Sequence, residues 1–328
     1  MKIRNLLTAA AFALASLSAA AHAATEIKFA ILAPEGTGWH KVVSAWDKEL
    51  SEKTQGRVKL KIYAGGAMGD EQDIVRKMRI GQVHAAGFTG MGLGIINPAV
   101  RVLELPMLIT SYAEADAVTK KIQPKLEKGF EEKGFVFLGW AETGLVNVFS
   151  NKPIATLKDM SGVKMWAWEG DQLVAEMYKA FKIVPIPLPI ADVLTSLQTK
   201  MIDGVYNTAY GAIALQWFTA VKYMSDLKLA NSTGGILITK QAFSSLSPAD
   251  QQLLRETGRK YGGELVRQLR ADNQGSYAKI ASEGIKTVNV LPEEVEKIRQ
   301  TSREVWKALV GKLYSQELLN EAIAAAGK

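Results

Sequence analysis

The 328-residue chain contains no cysteine and only three histidines. Without cysteine the protein has no disulfide, no thiolate nucleophile and no cysteine-ligated metal, so its stability must come from burial of apolar side chains. Histidine is the usual acid–base group near neutral pH, and only His40 and His84 lie beyond residue 23. The sequence therefore disfavours metal centres and histidine- or cysteine-based enzymes, and we expect neither a cofactor nor a metal.

A clustered basic stripe is also missing, although the formal net charge is +7. Lysines occur singly with acids beside them, as in Glu131-Glu132-Lys133, whereas a nucleic-acid-binding face concentrates Lys and Arg. This pattern is typical of ordinary solvated surface. We expect no nucleic-acid partner, and we expect a monomer.

No segment beyond residue 23 is apolar over the roughly 20 residues that a membrane-spanning helix needs. The N-terminus has instead the three parts of a secretory signal. Lys2 and Arg4 form the positive region, residues 6–20 are apolar, and Ala21-His22-Ala23 is a small-x-small cleavage site. We predict export to the periplasm and cleavage after Ala23.

Strand and helix patterns alternate along the mature chain, which predicts an α/β protein with a mostly parallel, doubly wound sheet. The expected strands lie at 26–32, 58–63, 83–89, 135–141, 147–150, 163–168, 184–187 and 203–207. The expected helices between them lie at 39–54, 70–80, 112–133, 171–181 and 191–200. The pattern repeats in the middle of the chain, which indicates a second lobe.

The last third of the chain predicts a long helix at 248–283, begun by Pro248 in its first turn. A helix of that length would span about 50 Å at 1.5 Å per residue, too long for one small lobe, so we expect it to cross both. Gly262-Gly263 is the expected place for a bend. Shorter helices are predicted at 293–310 and 316–325.

The segment Gly90-Met91-Gly92-Leu93-Gly94 resembles a dinucleotide-binding glycine loop. Its third glycine is one residue early, and no acid follows at about 20 residues, as that motif requires. We interpret the segment as a tight loop after the third strand. Nucleotide binding is not supported.

Tryptophans mark the ends of several predicted strands. Trp39, Trp140, Trp166 and Trp168 lie at or near carboxyl ends, and Trp217 follows the strand at 203–207. Open α/β sheets bind ligands at those ends. The alternative is that these indoles pack in the core or the hinge.

The segment from residue 162 to residue 208 resembles the extracytoplasmic solute receptors of tripartite ATP-independent periplasmic (TRAP) transporters. The turn Gly65-Gly66-x-x-Gly69 and the steps Asn97-Pro98 and Leu105-Pro106 also fit. The matching residues of the segment are Gly162, Lys164, Met165, Pro185, Pro187, Asp192, Val193, Ser196, Leu197, Gln198, Asp203, Gly204 and Asn207.

The resemblance implies a two-lobed, type II periplasmic-binding-protein-like fold, with mixed sheets, flanking helices and a long helix spanning both lobes. It implies a first lobe of 24–145 plus about 230–260, and a second of 146–229 plus about 261–328. It also implies that a small organic solute is trapped by hinge closure and delivered to the TRAP permease subunits in the membrane. No catalysis is expected.

One departure from the family pattern affects the ligand. The family arginine that pairs with a substrate carboxylate is replaced by Trp166, and a second basic contact falls near Val146. Losing a charge-assisted hydrogen bond of this kind costs about 1.5–3 kcal/mol. We therefore expect a ligand that is not a simple C4-dicarboxylate: an aromatic compound, a polyol, an amine, or an acid held without the usual arginine. The expected ligand-binding residues are Glu35, Trp39, Thr89, Glu142, Asn147, Trp166, Trp168, Glu169, Tyr206, Asn207, Tyr210 and Trp217.

Two other functions remain open from the sequence. A periplasmic enzyme on a similar fold would need an acid–base pair such as Glu142 and Glu169. A ligand-sensing module for a sensor kinase would need the same pocket and a different docking partner.

Overall fold

The computed structural model describes residues 24–328, so the predicted signal peptide lies outside the described residues. The strands of this part are β1 (Thr25–Ala30), β2 (Val58–Tyr63), β3 (Ala85–Thr89), β4 (Phe135–Ser150), β5 (Lys164–Trp168), β6 (Val184–Leu188), β7 (Gly204–Thr208), β8 (Tyr223–Ser225), β9 (Ala230–Thr239) and β10 (Lys286–Val288). The helices are α1 (Gly38–Lys53), α2 (Glu71–Arg79), α3 (Gly90–Ile96), α4 (Tyr112–Glu132), α5 (Leu157–Met160), α6 (Gln172–Phe181), α7 (Val193–Gln198), α8 (Ala209–Ala214), α9 (Lys240–Ser244), α10 (Pro248–Ser282), α11 (Pro292–Leu309) and α12 (Gln316–Ala325).

All the strands belong to one mixed sheet with the order β2-β1-β3-β9-β4-β7-β5-β6, and β8 joins β10 to β4. β1 is parallel to β2 and β3, and β5 is parallel to β6 and β7. The long strands β4 and β9 pair antiparallel at the centre and separate these two parallel regions. The sheet is thus doubly wound in each lobe and antiparallel where the lobes meet.

β4 replaces two predicted strands with a single strand of 16 residues. Its ladder with β9 shifts register between Phe137 and Gly139 and again between Glu142 and Gly144. These irregularities interrupt the alternation that a sequence pattern detects, so the two ends of β4 resemble separate strands. β4 consequently runs from the first lobe into the second, where its last residues pair with β7.

The long helix α10 has 35 residues and continues through Gly262-Gly263. A Cβ on Gly262 would lie 2.6 Å from the carbonyl oxygen of Trp140, and a Cβ on Gly139 would lie 2.6 Å from that of Gly258. The glycines therefore allow the helix to lie directly on β4, a role that differs from the predicted bend. Leu265 packs in the core of the first lobe and Ile280 in that of the second.

The C-terminal helices contact both lobes. α11 packs on α6 and α12 packs on α4. The indole nitrogen of Trp306 donates to the carbonyl of Pro106 (2.8 Å), and the Lys328 ammonium donates to that of Leu108 (2.7 Å). The end of the chain thus fastens onto the first lobe, although the predicted boundary places it in the second. No helix within residues 24–328 is both long and apolar enough to cross a bilayer.

Candidate ligand-binding site

A cavity of about 180 Å³ lies between the two lobes, where the crossing strands pass from one to the other. The residues after β1, the start of α1 and the end of β3 form one wall. The ends of β5 and β7 and helix α8 form the opposite wall, and β9 contributes residues 230–232. The cavity therefore lies at carboxyl ends of strands, as the sheet class predicts.

Seven of the predicted site residues line this cavity: Trp39, Thr89, Trp166, Trp168, Tyr206, Asn207 and Tyr210. They come from both lobes, so only the folded, closed arrangement brings them together. Asn207 lies on β7 with its amide oxygen accepting from the Thr208 N–H (2.8 Å). Its Nδ2 has no hydrogen-bond partner among the described residues and is free to donate to a ligand.

The other five predicted residues lie outside the cavity walls. Glu35 and Glu169 have exposed side chains beyond the cavity. Trp217 is buried beneath Trp166, with ring centroids 5.1 Å apart at 72°. Asn147 is fully buried and fully paired: Nδ2 donates to the carbonyl of Ser225 (2.8 Å), and Oδ1 accepts from the Tyr277 hydroxyl (3.0 Å).

Glu142 faces α10 and makes a bidentate ion pair with Arg270, at 2.6 Å and 2.9 Å. This ion pair joins β4 to the long helix α10, so the Glu142 carboxylate is already paired. Because Glu169 is exposed on a different element, the two carboxylates do not form the acid–base pair that an enzyme on this fold would need.

Trp166 forms the centre of an aromatic cluster in the second lobe. It is 2% exposed, its ring stacks on Tyr206 at 4.9 Å and 19°, and the Trp168 ring lies 5.5 Å away. Its indole N–H donates to the carbonyl of Leu188 (3.0 Å). Trp166 thus offers a ligand ring surface but not its hydrogen-bond donor.

A buried ion cluster joins the lobes beside these rings. Arg101 forms an ion pair with Glu104 (2.7 Å) within the first lobe and donates a hydrogen bond to Asp171 (2.7 Å) in the second. The Asp171 carboxylate also caps α6 by accepting from the N–H groups of Leu173 and Val174. Burial raises the pKa of Glu104, whereas the guanidinium acts in the opposite direction. One guanidinium therefore lies between two buried carboxyl groups.

Helix α3 replaces the loop predicted at Gly90-Met91-Gly92-Leu93-Gly94. A Cβ on Gly90 would lie 2.1 Å from Cδ of Glu104, and a Cβ on Gly94 would lie 2.6 Å from Cδ of Arg101. The glycines thus make room for the buried charged side chains. A glycine-rich spacing usually indicates a turn, but here it permits close packing against a helix.

Glu71 is a further buried carboxylate of the cavity wall. It accepts from the N–H of Thr89 (2.6 Å), the hydroxyl of Thr89 (2.8 Å) and the N–H of Gly92 (2.6 Å). Burial raises the pKa of Glu71 to about 7, although these hydrogen bonds act to lower it.

We expect this shift to appear in the pH dependence of stability. Between pH 4.5 and about 7 the folded protein binds more protons at Glu71 than the unfolded chain does. The free energy of unfolding therefore falls as pH rises through this window and levels off above it. Denaturant unfolding of wild type and Glu71→Gln at several pH values tests this. The free energy of unfolding of wild type, relative to that of the variant, should fall as pH rises. A difference that is constant from acid to neutral pH would contradict it.

Further hydrogen bonds close the lobes over the cavity. The Asp70 carboxylate accepts from Nε1 of Trp168 (3.0 Å) and from the N–H of Ile190 (3.1 Å). The Tyr210 hydroxyl accepts from the N–H of Gly38 (2.6 Å). Together with the Arg101 cluster these contacts define a closed conformation.

Known proteins share this arrangement of two lobes, a common pair of strands and a cavity between the lobes. Residues 29–313 match the family model described as bacterial extracellular solute-binding protein, family 7. The chain belongs to this family, the solute-binding proteins of TRAP transporters. It is a binding protein of the transport class and not an enzyme.

Relatives of this solute-binding protein differ in their ligands. The chain is 27% identical over 277 residues to the 2,3-diketo-L-gulonate-binding periplasmic protein of Escherichia coli, covering 84% of each chain. A sugar-acid-binding protein of Advenella mimigardefordensis, in complex with galactonate, has a TM-score of 0.87 at 21% identity over 93% of this chain and 98% of its own. A TRAP solute-binding protein of Shewanella oneidensis with bound succinate also scores 0.87, at 17% identity over 93% and 100%. The shared fold therefore does not determine the ligand.

Sequence reasoning missed most of the polar wall of this binding protein. Arg101, Glu104, Glu71, Asp171 and Asn231 all line the cavity, and none was predicted to bind. A signal for two of them was present, because Arg101 and Glu104 interrupt an apolar run and must find partners if that run is buried. No local sequence pattern indicates Asp171, because its partner Arg101 lies 70 residues away in the sequence.

Proposed function

We propose that the chain is the periplasmic receptor of a TRAP transporter for a small organic solute that carries at most one carboxylate together with hydroxyl or amine groups. The observation that carries this proposal is the state of Arg101. It is the only Lys or Arg side chain among the described residues that line the cavity, and two carboxylates already hold it. A dicarboxylate would therefore have no unengaged cation to meet either of its charges.

Electrostatics in the rest of the cavity supports the same class. Glu71, Glu104 and Asp171 bring three buried carboxyl groups to the cavity, and each of them that is ionised repels a doubly charged anion in a medium of low dielectric. The position of the family arginine is occupied by Trp166, whose N–H is bonded to Leu188. A single carboxylate could still accept from Nδ2 of Asn207, which has no hydrogen-bond partner among the described residues. Two of the similar proteins bind hydroxylated acids of this kind.

The proposal also includes export of the protein to the periplasm and docking on a membrane permease. The signal peptide would be removed after Ala23, and the mature protein would act as a monomer in the periplasm. Closure around the solute would then create the surface that the TRAP permease subunits recognise. Such closure needs ligand contacts that exist only in the closed state.

A thermal-shift screen of the mature protein, followed by calorimetry, tests the ligand class. We expect galactonate, glucuronate, polyols or amines to raise the unfolding temperature, because a ligand at 100 times its Kd stabilises by about 2.7 kcal/mol. Succinate and malate should have no comparable effect. Micromolar binding of either one would contradict the proposal.

A cavity-filling variant provides the control for this screen. Ala214 lines the cavity, so Ala214→Trp should abolish every genuine ligand response while leaving the fold intact. A shift that persists in this variant would report binding elsewhere.

A further inference from the structure

Asn231 carries an unexplained polar atom. It lies on β9, is 3% exposed and lines the cavity. Its Oδ1 has no hydrogen-bond partner among the described residues. Buried amide oxygens are nearly always paired, so an orphan acceptor at a cavity wall needs a partner that the protein itself does not supply.

The orientation of this amide is determined by its other end. Nδ2 of Asn231 donates to the carbonyl of Leu103 at 3.4 Å. Reversing the amide would place Oδ1 against that carbonyl, and two acceptors repel each other. The oxygen is therefore the atom left to meet a ligand, and it can only accept.

The neighbourhood of Asn231 is rich in acceptors. Glu104 follows Leu103 in the chain, and its Oε1 accepts from the N–H of Thr233 (2.9 Å), two residues along β9 from Asn231. Glu104 in turn shares Arg101 with Asp171. This end of the cavity therefore favours the part of a solute that donates hydrogen bonds.

We propose that Asn231 is a specificity-determining residue that accepts a hydrogen bond from a hydroxyl or protonated amine of the solute and excludes a carboxylate from this end of the cavity. This rests on the proposed function of solute capture. In the closed arrangement no described protein group pairs with the Asn231 oxygen, and a donor on the solute would supply that hydrogen bond. Sites built this way discriminate strongly against analogues that lack the donor.

Calorimetric titration of wild type and Asn231→Leu with galactonate and with putrescine tests the role of this residue. We expect the Kd of the probe that binds wild type to rise about tenfold to a hundredfold in Asn231→Leu, as loss of one buried hydrogen bond implies. The ligand-free variant loses both the unpaired oxygen and the long hydrogen bond from Nδ2 to the Leu103 carbonyl (3.4 Å), so its stability to heat should change little. A purely structural residue would lose stability and affinity together, and that result would overturn the proposal.

Two further variants keep the test decisive. Asn231→Asp retains an acceptor and adds negative charge, so its Kd should fall at least tenfold for putrescine if the donor is an amine, or rise at least tenfold for galactonate if the donor is a hydroxyl. Asn151→Leu removes an amide that donates to Ala220 away from the cavity, and it should leave the Kd unchanged. Changes below twofold in both Asn231 variants would overturn the role of Asn231 alone. Failure of both probes to bind wild type, while succinate binds, would overturn the ligand class instead.

Discussion

Replacing Arg101 by methionine is expected to lower the free energy of unfolding by about 3–5 kcal/mol, because the substitution leaves buried carboxylates without their cation. Glu104 and Asp171 each lie 2.7 Å from the guanidinium, and both are buried. Methionine fills a similar volume, so the loss would come from charge and not from a cavity. Urea unfolding followed by circular dichroism measures it.

The loss should also depend on pH. Burial raises the pKa of Glu104, and removing Arg101 takes away the group that lowers it. The unpaired carboxyl of the variant can therefore protonate in the folded state as pH falls, which relieves the buried charge. We expect a larger destabilisation at pH 8 than at pH 5.

A triple variant separates charge from packing. Arg101→Met combined with Glu104→Gln and Asp171→Asn removes the whole ion cluster, and asparagine can still cap α6 at position 171. We expect it to regain much of the stability that the single variant loses. A single variant that loses less than about 1 kcal/mol would show that the cluster is solvated, in contrast to the burial described above.

Trp166→Ala should also lower the free energy of unfolding by about 3–5 kcal/mol, the usual cost of deleting a buried tryptophan side chain. The ring is stacked on Tyr206 and meets the edge of Trp217, and its N–H satisfies the carbonyl of Leu188. The same change removes one wall of the cavity. We therefore expect ligand affinity to fall as well, measured by calorimetry on the folded fraction.

Two further variants separate the loss of stability from the loss of ligand affinity. Trp166→Phe retains a ring but loses the N–H, so it should cost less stability and preserve part of the affinity. Trp217→Ala deletes an indole from the same cluster that does not line the cavity. It should cost a similar amount of stability with a smaller change in Kd. Equal affinity in wild type and Trp166→Ala would remove Trp166 from the ligand site.

The fold was largely predictable from local patterns, and the exceptions have physical causes. Strand β2 and helices α4 and α10 have regular apolar periodicities, and the two helices also have clear caps. The observed bounds of all three elements are within one residue of the predicted ones at both ends. Strand β9 begins Ala-Asn-Ser-Thr-Gly-Gly, in which alanine, asparagine and both glycines have low strand propensity, and it forms because β3 and β4 offer backbone partners on both sides. Such tertiary pairing leaves no local signal.

The site was predictable where it depends on strand ends and aromatic side chains, and not where it depends on long-range pairing. The indoles of Trp39, Trp166 and Trp168 line the cavity as expected. Glu142 and Asn147 were reasonable candidates from position, but α10 reaches each of them with Arg270 or Tyr277. A polar residue near a strand end therefore points to a site only when no distant element satisfies it.

Because β4 and β9 belong to both lobes, the hinge is part of the sheet itself and not a linker. We expect rotation between the lobes to be absorbed where the ladder is already irregular, near Gly144, whose φ of 118° few other residues tolerate. We therefore expect the two lobes to move as rigid bodies, so that closure costs little backbone conformational entropy. More of the contact energy with the solute is then available as affinity, since preorganisation reduces the entropic cost of binding.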